Sequence, residues 1–141
     1  MKLCLIAGCA LLLTIAAAPA GAKPILYWSD ADSGVLNGQR FRLYSLDAPE
    51  TGPLSRRGGA KCELERQRGF EAKAKMVEMT KGADVRISKS YGYDRSEKPR
   101  LLVDLIVDGK DLGQAGIDAG ILARWPHRGT KKLSPKPDWC S

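Results

Sequence analysis

Nine consecutive residues, Arg42-Leu43-Tyr44-Ser45-Leu46-Asp47-Ala48-Pro49-Glu50, collect a guanidinium and two carboxylates in one short segment. These residue types suit attack on a phosphodiester. A guanidinium stays charged and donates in a planar fork that matches phosphoryl oxygens. One carboxylate can hold a hard metal cation, and a second can orient or deprotonate water. The alternation before Asp47 reads as the end of a strand over 39–46, stiff enough to hold Arg42 and Asp47 in fixed relation. Pro49 stops the strand, because it has no N–H to donate, and Glu50 then turns back toward the same place.

The surrounding elements must position those groups. Residues 25–29 form a short apolar run, a first strand, followed by the turn-rich Asp30-Ala31-Asp32-Ser33-Gly34. Val35-Leu36 leads into Asn37-Gly38, a strong hairpin signal, so 25–46 reads as a three-strand meander. Residues 51–61 carry Gly, Pro and Arg without periodicity and are expected to be a mobile loop. A charged helix is expected over 63–81, with Ala72, Met76 and Met79 on one face and Gly82 placed to end it. A half-buried strand follows over 84–88, then a polar, irregular stretch over 89–99. Residues 101–107 are apolar and β-branched, a further strand that Asp108-Gly109 turns. The second helix, 111–119, is weakened by Gly113 and Gly116, at about 1 kcal/mol each relative to Ala. Beyond Gly120 the chain is rich in Pro and Lys. The order β-β-β-α-β-β-α predicts a small α+β domain without internal repeats.

The chain has 141 residues and a net charge of +7. Residues 1–22 read as a secretory signal peptide: Lys2 is the basic start, 3–18 are uncharged and apolar, and Ala20-Gly21-Ala22 is a small-x-small cleavage site. As a membrane span the segment is marginal, since a span needs about 20 apolar residues. Ile6-Ala7-Gly8-Cys9 resembles a lipoprotein box, but cleavage there would leave almost no apolar stretch before it, so lipidation is not expected. A periplasmic or secreted location follows. Cleavage after Ala22 leaves 119 residues, one domain with one modest core, and losing Lys2 lowers the charge to +6. A basic surface on a small exported domain favours an anionic partner, nucleic acid first. Cys4 and Cys9 leave with the signal, and the remaining pair, Cys62 and Cys140, reads as a disulfide in an oxidising compartment. One His and no C-x-x-C exclude a zinc site, and the solitary His127 carries no acid–base role.

The Arg42 to Glu50 segment resembles the thermonuclease family, the staphylococcal-nuclease-like domain, whose pattern at this point is R-L-x-x-I/V-D-x-P-E. The resemblance covers about 25–125. It implies an OB-fold: a five-stranded β-barrel with a helix between strands three and four and a second helix after strand five. The family's D-G-D-T segment is matched by Asp30-Ala31-Asp32-Ser33, so the resemblance assigns Asp32 and Asp47 to calcium. Two carboxylates are too few to hold Ca²⁺ tightly; the Ala48 carbonyl, waters and a substrate phosphate would complete its shell. On their own, Asp30 and Asp32 are ordinary turn residues. Glu50 matches the carboxylate that orients or deprotonates the attacking water. Arg42 matches the first guanidinium on the phosphoryl group.

The family's second guanidinium sits in a D-x-Y-G-R-x-L-A segment, where this chain has Asp94-Arg95-Ser96-Glu97-Lys98-Pro99-Arg100-Leu101-Leu102-Val103. Anchoring on Leu101-Leu102 and on Val107-Asp108-Gly109 selects Arg100, with two extra residues after Asp94 and no tight Y-G turn; Arg95 is the competing candidate. Arg95 otherwise stands for a nucleotide-touching lysine of the family, and Tyr93, beside Tyr91 in the same loop, for its tyrosine. Trp125 stands where a later aromatic helps bind nucleotide; it can stack on a base, or serve as a core or rim aromatic. Pro135, Pro137 and the short tail leave no room for the family's third helix, whose clamp the Cys62–Cys140 bridge would replace.

The resemblance thus implies a calcium-dependent, sugar-nonspecific nuclease acting on DNA and RNA. It prefers single strands and leaves 3′-phosphate ends, as a monomer without a membrane span. The rivals are a non-catalytic nucleic-acid- or protein-binding module on the same fold, and a structural exported domain whose basic surface only aids solubility or envelope contact.

Overall fold

Turn chemistry sets the first half of the sheet. The computed structural model describes residues 21–126 and 134–141, so the expected signal peptide up to residue 20 and His127 lie outside the described residues. β1 (Leu26–Asp30) pairs antiparallel with β2 (Ser33–Leu36), with a register shift between Trp28 and Asp30. Asn37 and Gly38 then take φ of 50° and 83°, which matches the twist of the flanking strands and sends the chain back as β3 (Gln39–Leu43).

The expected strand over 39–46 is broken. Tyr44 makes a last rung, its N–H donating to the Val103 carbonyl at 2.9 Å, and Ser45 then turns to φ 55°. After that kink Leu46 and Asp47 form the two-residue β4, and both are buried, which ends the alternation. β4 leaves the main sheet and pairs with β8 (Ala123–Arg124).

α1 (Glu63–Thr80) starts at Cys62, whose Sγ accepts the Glu65 N–H, and ends before Gly82 at φ 69°. Ala72 and Met76 are buried as the helical spacing predicts, and Met79 packs half-buried against the core. β5 runs over Val85–Tyr93, five residues further than the expected 84–88. It pairs with β6 (Leu101–Val107) through two register irregularities, and most of its side chains are exposed, so no apolar pattern marks it in the sequence. Asp108 and Gly109, at φ 48° and 81°, turn β6 into β7 (Lys110–Asp111), and Asp111 caps α2 (Leu112–Asp118) through the Gln114 N–H.

The result is an α+β domain with a mixed six-stranded sheet, order β1-β2-β3-β6-β5 with β7 beside β6. The β3–β6 pair is parallel and the others are antiparallel. Among the described residues no ladder joins β1 to β5. Trp28 meets Phe41 edge to face at 5.3 Å, and its indole N–H donates to Thr80 at the end of α1. Phe41, Leu43, Met76, Val103, Leu105 and Leu112 fill the space between sheet and helices. No helix among the described residues is long and apolar enough to cross a membrane.

Gly69 fixes the one helix approach that matters for the site. A Cβ there would stand 2.5 Å from the Glu50 carbonyl oxygen and 2.9 Å from that of Pro49. Only glycine lets α1 lie against this backbone, so the helix buttresses the segment that carries Glu50.

Candidate active site

Asp32 sits in the turn between β1 and β2, and its carbonyl accepts the Leu43 N–H at 2.8 Å, which pins it beside β3. Ser33 pairs with Arg42 across the β2–β3 ladder. The Arg42 guanidinium therefore reaches Asp32 Oδ2 at 2.9 Å, and past the kink it reaches Asp47 Oδ1 at 3.3 Å. The fixed relation between Arg42 and Asp47 comes from this ion pair and from a bond to the Leu46 carbonyl, not from one continuous strand. Asp32 and Asp47 are 3% and 1% exposed, so their oxygens are met by partners within the chain rather than by bulk water. Ala48 is buried directly after Asp47.

Glu50 follows Pro49, and its N–H donates to Glu65 Oε1 at 3.4 Å. The buried Glu65 also accepts the Lys61 N–H at 2.7 Å, so one side chain of α1 ties both ends of the 51–61 loop. That loop, expected to be mobile, is folded by its own turns, with Arg56 N–H to the Pro53 carbonyl and Gly59 N–H to the Arg56 carbonyl.

Asp47 lines one pocket with Glu50, Glu65 and Lys136, while Asp32, Arg42 and Glu50 open into a second cleft. Its carboxylates are Asp30, Asp32 and Glu50, and its guanidiniums are Arg42, Arg56, Arg57 and Arg100. Arg100 precedes β6, where Leu102 pairs with Arg42, and Asp94 grips it: the Arg100 Nε–H donates to Asp94 Oδ2 at 2.7 Å and the Arg100 N–H to Oδ1 at 3.0 Å. Arg95 stands in an exposed turn and is not part of the cleft lining. Tyr93 is exposed at the end of β5, its hydroxyl donating to Gln39 Oε1 at 3.3 Å. Tyr91, expected in the same loop, lies inside β5 and belongs elsewhere. It stacks on Tyr44 at 3.7 Å, and its bond to Asp104 pushes its hydroxyl up to about 12.

The C-terminal tail supplies what the sequence pattern did not mark. The expected Cys62–Cys140 bond is formed, with Cα atoms 6.1 Å apart, and it brings in contacts that were not expected. Arg68 donates to the carbonyls of Trp139 and Ser141 at 2.8 and 2.7 Å. The Trp139 indole N–H donates to Asp47 Oδ2 at 3.0 Å, and Lys136 Nζ lies 3.1 Å from Asp47 Oδ1 and 2.8 Å from Glu50 Oε1. Trp125 faces both Arg42 and Lys136, each 5.5 Å from its ring centre, and donates its indole N–H to the Ser134 carbonyl. Arg56-Arg57 was visible as a basic doublet ahead of two glycines; Lys136 and Trp139 carry only the hint of a tail tied at Cys140.

Charge states follow from this packing. Burial pushes the Asp32 carboxyl above its usual range; Arg42 opposes, and Asp47 and Asp30 add to the rise. Burial likewise raises Glu50, against the bond and charge of Lys136. For Lys136 burial would lower the value, but Glu50 and then Asp47 outweigh it and hold the ammonium protonated. Among the described residues no group of three His, Cys, Asp or Glu side chains forms a metal cage. The two hard carboxylates on Arg42 fit calcium by donor type, as a weak site needing other oxygens. No family model matches the chain, and no curated protein matches it.

Proposed function

We propose that the chain is an exported nuclease of the thermonuclease kind, hydrolysing phosphodiester bonds of DNA and RNA. One observation carries the reading: four guanidiniums and three carboxylates face each other across a single cleft, with Asp32, Arg42, Glu50 and Arg100 all on its wall. The strand order and the parallel β3–β6 pair support an OB-fold as the frame.

In this reading Arg42 and Arg100 bind the phosphoryl oxygens and stabilise the charge that grows on them. Glu50 orients or deprotonates the attacking water from a backbone buttressed by α1. Asp32, Asp47 and the Ala48 carbonyl would hold calcium, which supplies Lewis-acid polarisation of a phosphoryl oxygen when bound. Trp125, which faces Arg42, together with Tyr93 and Arg95 on either side of Asp94, would serve as binding groups for bases and backbone.

The test is digestion of denatured DNA. Activity is expected with added Ca²⁺, is lost in a chelator, and falls by two orders of magnitude or more in Glu50→Gln, about the loss seen when a single transition-state group is removed. Full activity in the chelator sinks the calcium assignment, and undiminished activity in Glu50→Gln sinks the role of Glu50. One observation favours the second reading, a non-catalytic binding module: Lys136 already engages Glu50 Oε1. Such a module binds single strands with a steep salt dependence and leaves them intact.

A further inference from the structure

Three donors from within the chain converge on Asp47. Its Oδ1 faces Arg42 and Lys136, and its Oδ2 accepts the Trp139 indole N–H. Lys136 also takes Glu50 Oε1, so one ammonium bridges an assigned metal ligand and the assigned base. Any calcium bound to Asp47 Oδ1 at its normal distance lies within about 6 Å of the Lys136 nitrogen, with little water between two like charges.

Lys136 does not arrive there as a loose surface side chain. Pro135 and Pro137 flank it and restrict its backbone. Four residues on, Cys140 bonds to the cap of α1, and Arg68 on that helix holds the carbonyls on either side of Cys140. Ser134 is held by Trp125. The strap 134–141 is thus tied at both ends, and its one lysine is delivered to the acidic cluster at the high effective concentration of a tethered ligand.

We infer that the strap is a built-in competitor of the divalent cation: Lys136 docks where the metal's charge must sit, so its docking and metal binding exclude each other. The inference rests on the nuclease reading for the identity of the metal ligands. It has two consequences. Calcium affinity is reduced by the fraction of molecules with Lys136 docked. Metal binding also displaces Lys136 from Glu50, so loading the site raises the fraction of molecules in which the base is free.

Calorimetric titration of Ca²⁺ into the disulfide-bonded chain tests this without reference to activity. Lys136→Met, checked for folding by circular dichroism, is expected to bind calcium roughly tenfold tighter or more. Lys136→Arg is expected to stay near the starting affinity. In Cys62→Ser/Cys140→Ser, serine keeps an oxygen cap on α1, and a smaller tightening is expected because Trp139 and Arg68 still hold the strap. Equal affinity in the starting protein and Lys136→Met overturns the inference, as does weaker binding in Lys136→Met, which makes the lysine a support. If either occurs while denatured DNA is still digested with calcium, the nuclease reading stands alone. Absence of calcium binding in every variant overturns the competitor role, and absence of digestion as well takes the nuclease reading with it.

Discussion

The acidic cluster is walled on two sides by parts of the chain that are built in opposite ways. Asp32, Arg42 and Asp47 stand on the meander and β4, where backbone ladders fix their positions, and α1 presses on Glu50 from behind. Lys136 and Trp139 stand on 134–141, which has no regular secondary structure and is placed by a disulfide, two guanidinium bonds and their own side chains. The first wall has its backbone set by ladders, and the Arg42 ion pairs then fix its side chains. The second has no ladder, and only the Lys136 and Trp139 side chains bind it to the carboxylates, so those are the contacts a ligand can exchange. A site that gathers opposed charges needs both: rigid positions for groups acting in the transition state, and an exchangeable partner that keeps buried carboxylates satisfied until a ligand arrives.

The contrast between a packed and an exposed position is sharpest at the two candidate arginines, where the largest effect is expected. Arg100 lines the cleft, next to β6 and gripped by Asp94, while Arg95 is in the exposed turn. Arg100→Ala is expected to lower kcat by roughly 10²–10³-fold with the circular dichroism unchanged, as for loss of one charge-stabilising donor. Arg95→Ala is expected to act mainly on KM. Steady-state kinetics on denatured DNA decide it; a dead Arg95→Ala beside a near-normal Arg100→Ala would reverse the assignment of the extra residues.

A smaller but definite effect tests the rigid wall itself. In Gly69→Ala the new methyl would overlap the Glu50 carbonyl, a backbone atom that cannot rotate away. A cost of roughly 1–3 kcal/mol in urea unfolding is expected, the usual penalty of overpacking. Because the strain falls on Glu50, kcat should drop as well. A variant of unchanged stability and turnover would mean that α1 does not hold this segment as closely as its position indicates.

What the sequence showed and hid follows the same division. Asn37-Gly38 and Asp108-Gly109 announced their turns because two successive positive φ values need such residues, and 101–107 announced a strand because its side chains pack on the core. The break at Ser45 was hidden, since serine carries no strong signal for φ 55° and apolar residues continue beyond it. β5 was read short because a strand exposed on both faces lacks period-two alternation. The cleft's groups near 30–50 were legible as types in order, their spacing short enough for local structure to unite them. Lys136 meets Glu50 across 86 positions, and no local pattern reports a contact of that span.

Asp94 offers the finest test, because it separates a charge that shapes backbone from one that acts in the cleft. Burial alone would raise its pKa, but the Arg100 N–H, the Ser96 hydroxyl and the Arg100 guanidinium together hold it down to about 2 from 3.8. A carboxyl whose folded pKa is depressed stabilises the fold above its unfolded value, and that contribution is lost as pH falls through the folded one. The window is therefore about pH 4 down to about pH 2. Asp94 lies near the surface, so the global effect should be small and screened by salt. In Asp94→Asn the urea midpoint is expected to change less across that window than in the starting protein, with faster amide exchange at Ser96 and Arg100, the two N–H groups Asp94 accepts. At neutral pH the variant should bind single strands with a changed KM and a moderately lowered kcat, since Arg100 keeps its charge but loses its grip. If kcat instead falls as far as in Arg100→Ala, the carboxylate is fixing the guanidinium's position as strictly as the sheet fixes Arg42, and the 94–100 turn belongs with the rigid wall.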